Sequence, residues 1–300
     1  MRAALATAEL AEAVGPVDGV EIVVWNGDGP APEGDVDLWV PHYATSADVI
    51  DRGHELRGLR AVQLQSAGYD GVADRLPDGI TLCNAAGVHD DATAEHAVGL
   101  ILASLRGTPE AVRGHGHWDP MPGRRSLADS RVLVLGYGSI GRALAERLLP
   151  MKAEVTAVAS RERDDDLVGR VRANADLPLL LPDVDVVVVL VPLTDHTRGL
   201  VDDAFLARLP DGALVVNVAR GPVVDTAAVL RHAGRLRFAL DVTDPEPLPD
   251  GHPLWDAPDV LITPHVAGGT TAMLPRIAAL VRAQLVRLVA GEPLVNVVQG

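Results

Sequence analysis

The stretch RVLVLGYGSIGRALAERLL, Arg131–Leu149, predicts a strand, a glycine turn and a helix in direct succession. It opens with a short apolar run that has the length of a buried strand. Gly136, Gly138 and Gly141 follow with the spacing G-x-G-x-x-G. Such glycines permit a tight turn, a close approach of backbone to a pyrophosphate, and close packing of helix on strand. The N-terminus of the helix offers N–H groups to phosphates, so the stretch predicts a dinucleotide-binding unit.

Short apolar runs alternate with helical patterns on both sides of this stretch. Before it, a helical pattern at Ser46–Leu56 accompanies strands predicted at Val20–Trp25, Val36–Val40 and Leu59–Leu64. After it, helical patterns at Asp202–Leu209 and Thr226–Gly234 accompany strands predicted at Glu154–Ala159, Asp185–Val191, Ala213–Val218, Leu236–Val242 and Val260–Thr263. Strands that alternate with helices favour parallel sheets covered on both faces. The predicted fold class is therefore α/β, and the most apolar run, Asp185–Val191, is expected at the centre of a sheet.

The length of the chain suggests about two domains. Ala92–Leu105 has apolar residues at helical spacing and is predicted as a long helix between the two halves. The last predicted helix, Leu274–Val289, is expected to return to the first half. We therefore predict a discontinuous first domain, residues 1–95 plus 273–300, and a dinucleotide-binding domain, residues 96–272.

The composition argues against several classes of partner. A formal net charge of −15 disfavours a nucleic acid or an anionic membrane, because both bind basic surfaces. No apolar run approaches the length of a membrane span, and the N-terminus lacks the pattern of a signal peptide, so a cytoplasmic protein is expected. The single cysteine, Cys83, permits no intrachain disulfide and is expected to be a small buried residue.

Two polar segments are interpreted as surface loops. His115 and His117 form a His-x-His pair in the irregular segment Gly114–Gly123, but no cysteine or third clustered ligand accompanies them. We therefore expect no metal there, and a loop that Trp118 packs on its neighbour. The run RERDDD, Arg161–Asp166, follows a predicted strand and is expected to be a solvated loop.

Three residues able to carry chemistry follow predicted strands of the second half. Arg220 lies in NVARG, Glu246 lies between two prolines in DPEP, and His265 lies in TPHVAGG. Ligands bind at the carboxyl ends of parallel strands in this architecture. An arginine can hold a carboxylate through two parallel hydrogen bonds. A carboxylate beside an imidazole favours the charged ring, which can then exchange a proton near neutral pH. Each residue alone also suits a structural role, but together they predict a catalytic site.

These motifs together resemble the D-2-hydroxyacid dehydrogenase family, which includes phosphoglycerate dehydrogenases and glyoxylate/hydroxypyruvate reductases. The matching segments, in the family's order and over most of the chain, are GYGSIG (136–141), VPLTDHTRGLVD (191–202), NVARGPVVD (217–225), ALDVTDPEPLP (239–249) and TPHVAGG (263–269). The resemblance implies two doubly wound parallel-sheet domains, a Rossmann dinucleotide-binding domain and a flavodoxin-like substrate domain. It also implies a nicotinamide cofactor and hydride transfer at a 2-keto carbon.

The resemblance also assigns roles to individual residues. The family's catalytic arginine, glutamate and proton-donating histidine fall on Arg220, Glu246 and His265. Substrate contacts are implied for Ser66, Ala67, Gly68, Arg220 and His265. Cofactor contacts are implied for Gly136, Gly138, Ser139, Ile140, Gly141, Ser160, Arg161, Val191, Pro192, Thr197, Val218, Ala219 and Asp241. In this set Asp241 is the residue implied to contact the nicotinamide carboxamide.

The choice between the two nicotinamide cofactors depends on the end of the strand after the glycine turn. The position that usually carries an acidic residue for the ribose 2′-OH is occupied by Ala159, followed by Ser160 and Arg161. Without that carboxylate a 2′-phosphate is not repelled, and the serine and arginine are able to bind one. Glu162 and Asp164 favour the opposite choice. We expect NADP(H) to be preferred over NAD(H).

The first half carries no lysine or arginine at Pro41, His42 and Tyr43, which favours a small unphosphorylated keto acid such as glyoxylate or hydroxypyruvate. The family also implies a homodimer, with the segment around Trp118 as a candidate interface. An alternative function is a module that senses NAD(P), or acts like a corepressor, without turnover. The occupied catalytic positions favour the enzyme.

Overall fold

The computed structural model describes residues 1–43, 45–118, 120 and 123–299. The chain divides into two compact units, Met1–His89 with Thr270–Gly300, and Asp90–Gly269. The boundary expected between residues 95 and 96 falls inside the unbroken helix Asp90–Arg106, all of which belongs to the second unit. Within the described ranges, no helix combines the length and the apolar character that a bilayer span requires.

Strands and helices alternate along most of the chain. The strands are Arg2–Leu5 (β1), Glu21–Val24 (β2), Leu38–Val40 (β3), Ala61–Gln63 (β4), Thr81–Cys83 (β5), Arg131–Leu135 (β6), Glu154–Ala159 (β7), Arg163–Asp165 (β8), Gly169–Ala173 (β9), Val186–Val189 (β10), Leu214–Asn217 (β11), Arg237–Leu240 (β12), Val260–Ile262 (β13) and Val297–Gln299 (β14). The α-helices are Ala8–Val14 (α1), Ala47–Asp51 (α2), Asp90–Arg106 (α3), Thr108–Arg113 (α4), Ser139–Leu148 (α5), Leu177–Leu180 (α6), Asp203–Ala207 (α7), Thr226–His232 (α8) and Met273–Ala290 (α9).

The first unit is built on a six-stranded sheet in the order β14-β5-β4-β3-β1-β2. Its described pairs are parallel except for β14 with β5. The parallel strands have the order 2-1-3-4-5, which is the flavodoxin-like arrangement. The helix α9 packs in this unit because Ile277, Val281 and Leu285 share one side of it and are fully buried. Val289, which the apolar spacing places on the same side, is half exposed.

The second unit is built on an eight-stranded sheet in the order β13-β12-β11-β10-β6-β7-β9-β8. Among its described strands only β8 pairs antiparallel, with β9. The strands β9-β7-β6-β10-β11-β12 follow the order 3-2-1-4-5-6 of dinucleotide-binding sheets, so the predicted α/β fold with two doubly wound sheets is confirmed. The four valines of β10 are fully buried beside β6, because a central parallel strand is covered on both faces.

The charged run Arg161–Asp166 is not the solvated loop that its composition suggests. Its last part forms β8, an edge strand that pairs with β9. The carboxylate of Asp165 accepts the N–H groups of Leu167 and Val168, which closes the turn between the two strands. Charged side chains suit an edge strand because they remain in solvent and oppose pairing with other chains. Hydropathy alone therefore does not reveal this hairpin.

The segment around Trp118 also differs from its prediction. The Trp118 side chain is 92% exposed, so the expected packing of its ring on a neighbouring part of the chain is wrong. Asp119, Met121 and Pro122, which belong to the predicted loop Gly114–Gly123, lie outside the described residues. Strands β1, β5, β9 and β14 have no sequence prediction.

Candidate active site

Close backbone contacts shape the glycine turn between β6 and α5. Gly136 has a φ of +107°, and a Cβ there would lie 2.5 Å from the carbonyl carbon of Leu190. A Cβ on Gly141 would lie 2.6 Å from the carbonyl oxygen of Gly136, so α5 packs directly on the turn. A Cβ on Gly138 would meet no atom within 4 Å. Packing within the protein therefore explains why Gly136 and Gly141 must be glycines. Gly138 instead leaves its backbone accessible to a ligand.

The N-terminus of α5 is suited to an anion. The helix begins at Ser139 directly after Gly138, with no side-chain cap and no acidic residue in its first turn. The first N–H groups of a helix have no acceptor within the helix and lie at the positive end of its dipole. The turn and helix therefore fit the pyrophosphate of a dinucleotide, with the N–H groups of Ser139 and Ile140 as donors.

The end of β7 is the position predicted for the adenosine ribose. The strand ends at Ala159, and Ser160 and Arg161 follow it with exposed side chains. Arg161 makes no ion pair within the described part of the chain, whereas Glu162 is paired with Arg170. The acidic residue next to Arg161 is thus paired with another arginine, and the guanidinium group of Arg161 is available to bind an anion.

The hairpin β8–β9 is attached to the glycine turn by side chains that no sequence pattern marks. The Tyr137 hydroxyl donates to one oxygen of Asp165 at 3.1 Å, and Arg142 of α5 donates to the other at 3.2 Å. Arg163 donates to the carbonyl oxygen of Tyr137 at 2.6 Å. Burial and the adjacent Asp165 raise the pKa of Tyr137 to about 12, so its hydroxyl stays protonated at neutral pH. The segment that follows the ribose position is therefore fixed to the glycine turn.

Asn217 sets the turn that carries Arg220. Asn217 is fully buried at the end of β11, where its Oδ1 accepts the N–H of Ala219 at 3.1 Å. Its Nδ2 donates to the carbonyl oxygen of Arg220 at 3.0 Å. Asparagine side chains commonly form such short-range bonds to nearby backbone. No role is predicted for Asn217 from the sequence, although an amide at the end of an otherwise apolar strand is a signal that marks it.

Gly221 brings this turn into contact with the segment that precedes Glu246. A Cβ on Gly221 would lie 1.8 Å from the carbonyl oxygen of Thr243, a distance that no side chain allows. The Thr243 hydroxyl donates to the carbonyl oxygen of Pro245 at 2.8 Å. The peptide bonds before both prolines that flank Glu246 are cis. The predicted arginine and glutamate therefore stand on segments that touch one another.

The structure joins the predicted glutamate and histidine directly. His265 Nδ1 lies 2.5 Å from Glu246 Oε1, and the side chains are 42% and 40% exposed, respectively. An ionised carboxylate only accepts hydrogen bonds, so Nδ1 carries the proton. Nε2 of His265 has no hydrogen-bond partner within the described residues and is the nitrogen that can meet a substrate.

Asp241 holds the backbone of the loop that carries His265. His265 has a φ of +53°, a left-handed conformation that costs a non-glycine residue about 1–2 kcal/mol. Its N–H donates to the Asp241 carbonyl oxygen at 2.7 Å. The N–H groups of Val266 and Ala267 each donate to an Asp241 carboxylate oxygen at 3.0 Å. Burial disfavours ionisation, but hydrogen bonds from His96 and from these donors outweigh it and lower the pKa of Asp241 to about 2.

The remaining predicted cofactor residues lie where β10, β11 and β12 end. The Thr197 hydroxyl donates to the carbonyl oxygen of Pro192 at 2.6 Å and so shapes the turn after β10. Asp241 Oδ2 accepts one N–H among the described residues, which leaves an acceptor position for a carboxamide. Three further positions are buried: Val191, Val218 and Ala219. Their contacts with a cofactor stay predictions.

In the first unit, the loop after β4 carries the predicted carboxylate-binding residues. Asn84 Nδ2 donates to the carbonyl oxygen of Ala67 at 2.7 Å, and Ala85 N–H donates to that of Ser66 at 2.8 Å. The Ser66 hydroxyl donates to the carbonyl oxygen of Gly68 at 2.6 Å. The N–H groups of Ala67 and Gly68 have no acceptor within the described residues. This loop can therefore donate two hydrogen bonds to an anion.

Comparison with known proteins places the chain in a family. Residues 98–267 match the family model of the D-isomer specific 2-hydroxyacid dehydrogenase, NAD binding domain. A glyoxylate reductase from Thermofilum pendens is 34% identical over 262 residues, which cover 82% of this chain and 76% of that protein.

Two solved structures resemble the whole chain. A D-isomer specific 2-hydroxyacid dehydrogenase from Xanthobacter autotrophicus, in complex with NADPH and MES, is 30% identical, with a TM-score of 0.83 over 99% of this chain and 98% of that one. An NADPH-dependent glyoxylate/hydroxypyruvate reductase from Sinorhizobium meliloti, in complex with NADP and sulfate, is 27% identical, with a TM-score of 0.83 and the same coverage.

The family match spans the glycine turn, Arg220, Glu246 and His265. The relatives described above are enzymes by name, so the alternative of a sensing or corepressor-like module without turnover is not supported. The chain therefore belongs to the D-isomer specific 2-hydroxyacid dehydrogenase family and is an NAD(P)-dependent oxidoreductase that acts by hydride transfer.

Proposed function

We propose that this enzyme is an NADPH-preferring reductase of small unphosphorylated 2-keto acids, with glyoxylate and hydroxypyruvate as favoured substrates. The bond between His265 and Glu246 carries the proposal, because reduction of a keto group needs a proton donor for the carbonyl oxygen. The absence of lysine and arginine at Pro41, His42 and Tyr43 favours a substrate without a phosphate. The names of the Thermofilum and Sinorhizobium relatives favour the same substrates.

Each unit is proposed to contribute one part of the chemistry. The second unit takes the nicotinamide cofactor at its glycine turn, and its Arg220 holds the carboxylate of the keto acid through paired hydrogen bonds. The first unit serves as the substrate domain, where Ser66, Ala67 and Gly68 offer backbone donors to a carboxylate. Arginine suits this role because its planar fork matches the two carboxylate oxygens.

His265 is proposed as the proton donor. A reduced nicotinamide held at the glycine turn would supply the hydride for the keto carbon. His265 Nε2 gives its proton to the carbonyl oxygen, so that a 2-hydroxy acid forms. Glu246 accepts the Nδ1 hydrogen bond throughout, which orients the ring so that Nε2 faces away from the glutamate. In the reverse direction the neutral ring takes the proton of the substrate hydroxyl.

The preference for NADPH is proposed from the charges after β7. Ser160 and Arg161 are exposed directly after β7, where we propose that the ribose binds. Two arginines pair with three of the acidic residues that follow them: Glu162 pairs with Arg170, and Asp165 and Asp166 share one arginine of α5. Their negative charges therefore oppose a 2′-phosphate less than the sequence suggests. Both structures compared above contain NADPH or NADP.

Arg161→Ala is expected to raise the KM for NADPH by about 10- to 100-fold, because hydrogen bonds to charged groups contribute about 1.5–3 kcal/mol. The KM for NADH is expected to change little, since NADH has no 2′-phosphate. Arg172→Ala, which removes an exposed charge from β9 of the same hairpin, is the matched control. Steady-state kinetics with both cofactors measure the effect. An unaltered KM for NADPH in Arg161→Ala would contradict the assignment.

The substrate proposal is tested by following the absorbance of the reduced nicotinamide with a panel of 2-keto acids. We expect turnover with glyoxylate and hydroxypyruvate, and a kcat/KM lower by about tenfold or more with 3-phosphohydroxypyruvate, because a phosphate requires compensating cationic donors. Faster reduction of the phosphorylated acid would overturn the substrate class. Failure to reduce any member of the panel would refute the reductase proposal itself.

We also propose that the enzyme works as a homodimer in the cytoplasm. Val112 and Trp118 are 69% and 92% exposed, and they lie six residues apart in the second unit. Large exposed apolar side chains favour a contact with another protein. The family resemblance supports a second copy of this chain as that partner.

A further inference from the structure

His96 makes a contact for which the proposed reaction gives no reason. It lies in α3, and its Nε2 is 3.1 Å from Asp241 Oδ1 and 3.0 Å from Thr263 Oγ1. Asp241 follows β12 and Thr263 follows β13, so side chains from three separate elements meet at this point. The Asp241 side chain is 1% exposed and that of His96 is 24% exposed.

The protons of this cluster can be assigned from its distances. The Thr263 hydroxyl lies 2.6 Å from Asp241 Oδ1 and donates its single proton there. Asp241 is ionised at neutral pH, as its lowered pKa requires, and has no proton to give. His96 Nε2 therefore carries a hydrogen, which it shares between the threonine oxygen and the carboxylate. His96 acts as a donor whether its ring is neutral or charged.

Few other hydrogen-bond donors reach Asp241, so the hydrogen bond from His96 is not easily replaced. Its other side-chain and backbone donors within the described residues are the Thr263 hydroxyl and the N–H groups of Val266 and Ala267. His96 is the only ionisable side chain paired with Asp241 in that part of the chain. A buried carboxylate that loses a partner is left partly unsatisfied, which costs more than an ordinary hydrogen bond contributes.

We infer that His96 is a positioning residue for the proton donor His265. His96 holds the carboxylate of Asp241, and Asp241 holds the backbone of the following loop at three N–H groups. The loop in turn places the imidazole of His265 beside Glu246. This inference rests on the proposed role of His265 in reduction. It extends the site to α3, which contributes no residue to the predicted catalytic set.

His96→Leu keeps a side chain of similar size but removes the donor. We expect kcat for glyoxylate to fall about 10- to 100-fold, as loss of a bond to a charged group implies. His96→Gln restores an N–H donor near the position of Nε2, and its kcat is expected within about threefold of the wild type. Ile101→Val, fully buried in the same helix, is the matched control. It is expected to lower the melting temperature without changing kcat.

Hydrogen exchange gives a readout that does not depend on turnover. The amides of Thr263 and of residues 265–268 are expected to exchange faster in His96→Leu and at the wild-type rate in His96→Gln. The inference would be overturned if His96→Leu kept the wild-type kcat or the wild-type exchange rates. It would also be overturned if kcat fell equally in both His96 variants. If the wild-type enzyme reduces no keto acid, the proposed function fails, and the exchange rates alone still decide whether His96 holds the loop.

Discussion

Turnover of glyoxylate by the His265→Ala enzyme is expected to be about 10²- to 10⁴-fold below that of the wild type. Glu246 binds Nδ1 of His265, so Nε2 is the nitrogen proposed to give the proton to the substrate. Alanine removes this donor but no atom of the glycine turn. NADPH binding is therefore expected to stay within about threefold of the wild type, since separate sites contribute independently. Steady-state kinetics measure turnover, and fluorescence titration measures cofactor binding.

Two further variants separate loss of the proton donor from damage to the fold. His54→Ala removes an exposed histidine of the first unit and is expected to keep wild-type turnover. Glu246→Gln keeps the shape of the carboxylate without its charge, and its turnover is expected between those of the wild type and His265→Ala. Comparable turnover in His265→Ala and the wild type would remove His265 from the mechanism. Loss of NADPH binding would instead show a disturbed fold.

Gly221→Ala is expected to abolish measurable activity and to lower the free energy of unfolding by about 1–3 kcal/mol or more. The added methyl group would lie 1.8 Å from the carbonyl oxygen of Thr243. Two backbone segments cannot yield as a flexible side chain can, so one of them must move. That movement displaces Arg220 on one side and Glu246 on the other. Thermal denaturation followed by circular dichroism, together with kcat, measures both effects.

Gly99→Ala is the matched control for this glycine substitution. Gly99 is exposed in α3, and a Cβ there meets no atom within 4 Å. The substitution is expected to stabilise the protein by about 0.5–1 kcal/mol, because alanine favours helix, and to leave turnover unchanged. Full activity in Gly221→Ala would contradict the view that this close contact shapes the site.

Local sequence patterns predict those elements of the second unit whose structure is determined by residues close to them in the sequence. The strands β6 and β7 span the same residues as the apolar runs that predict them. The glycine spacing predicts the turn, since Gly141 packs on Gly136 and Val134 of the same stretch. The close approach of Gly136 to Leu190, which follows β10, is not local and has no signal in the spacing. The prolines and glycines around Glu246 and His265 likewise mark strand ends where ligands bind.

Contacts between distant residues could not be predicted in this way. His96 and Thr263 are 167 residues apart in the sequence, and nothing in either segment indicates that they meet. The spacing of Glu246 and His265 predicts that they cooperate, but not that Nδ1 is the bonded nitrogen. The hairpin at Arg163–Asp165 escaped prediction because its stabilising partners lie in the glycine turn and in α5. Tertiary structure alone supplies this information.

The attachment of the hairpin β8–β9 has a consequence for the evolution of this enzyme. Its anchors, Arg163 and Asp165, lie beyond the two residues at the ribose position. Substitution of Ser160 or Arg161 is therefore expected to change the side chains at the proposed ribose position without loosening the hairpin or the glycine turn. In such an arrangement the residues proposed to select the coenzyme are separate from the residues that hold the hairpin in place. We therefore expect that few substitutions at these two positions exchange the preferred nicotinamide coenzyme without loss of the fold.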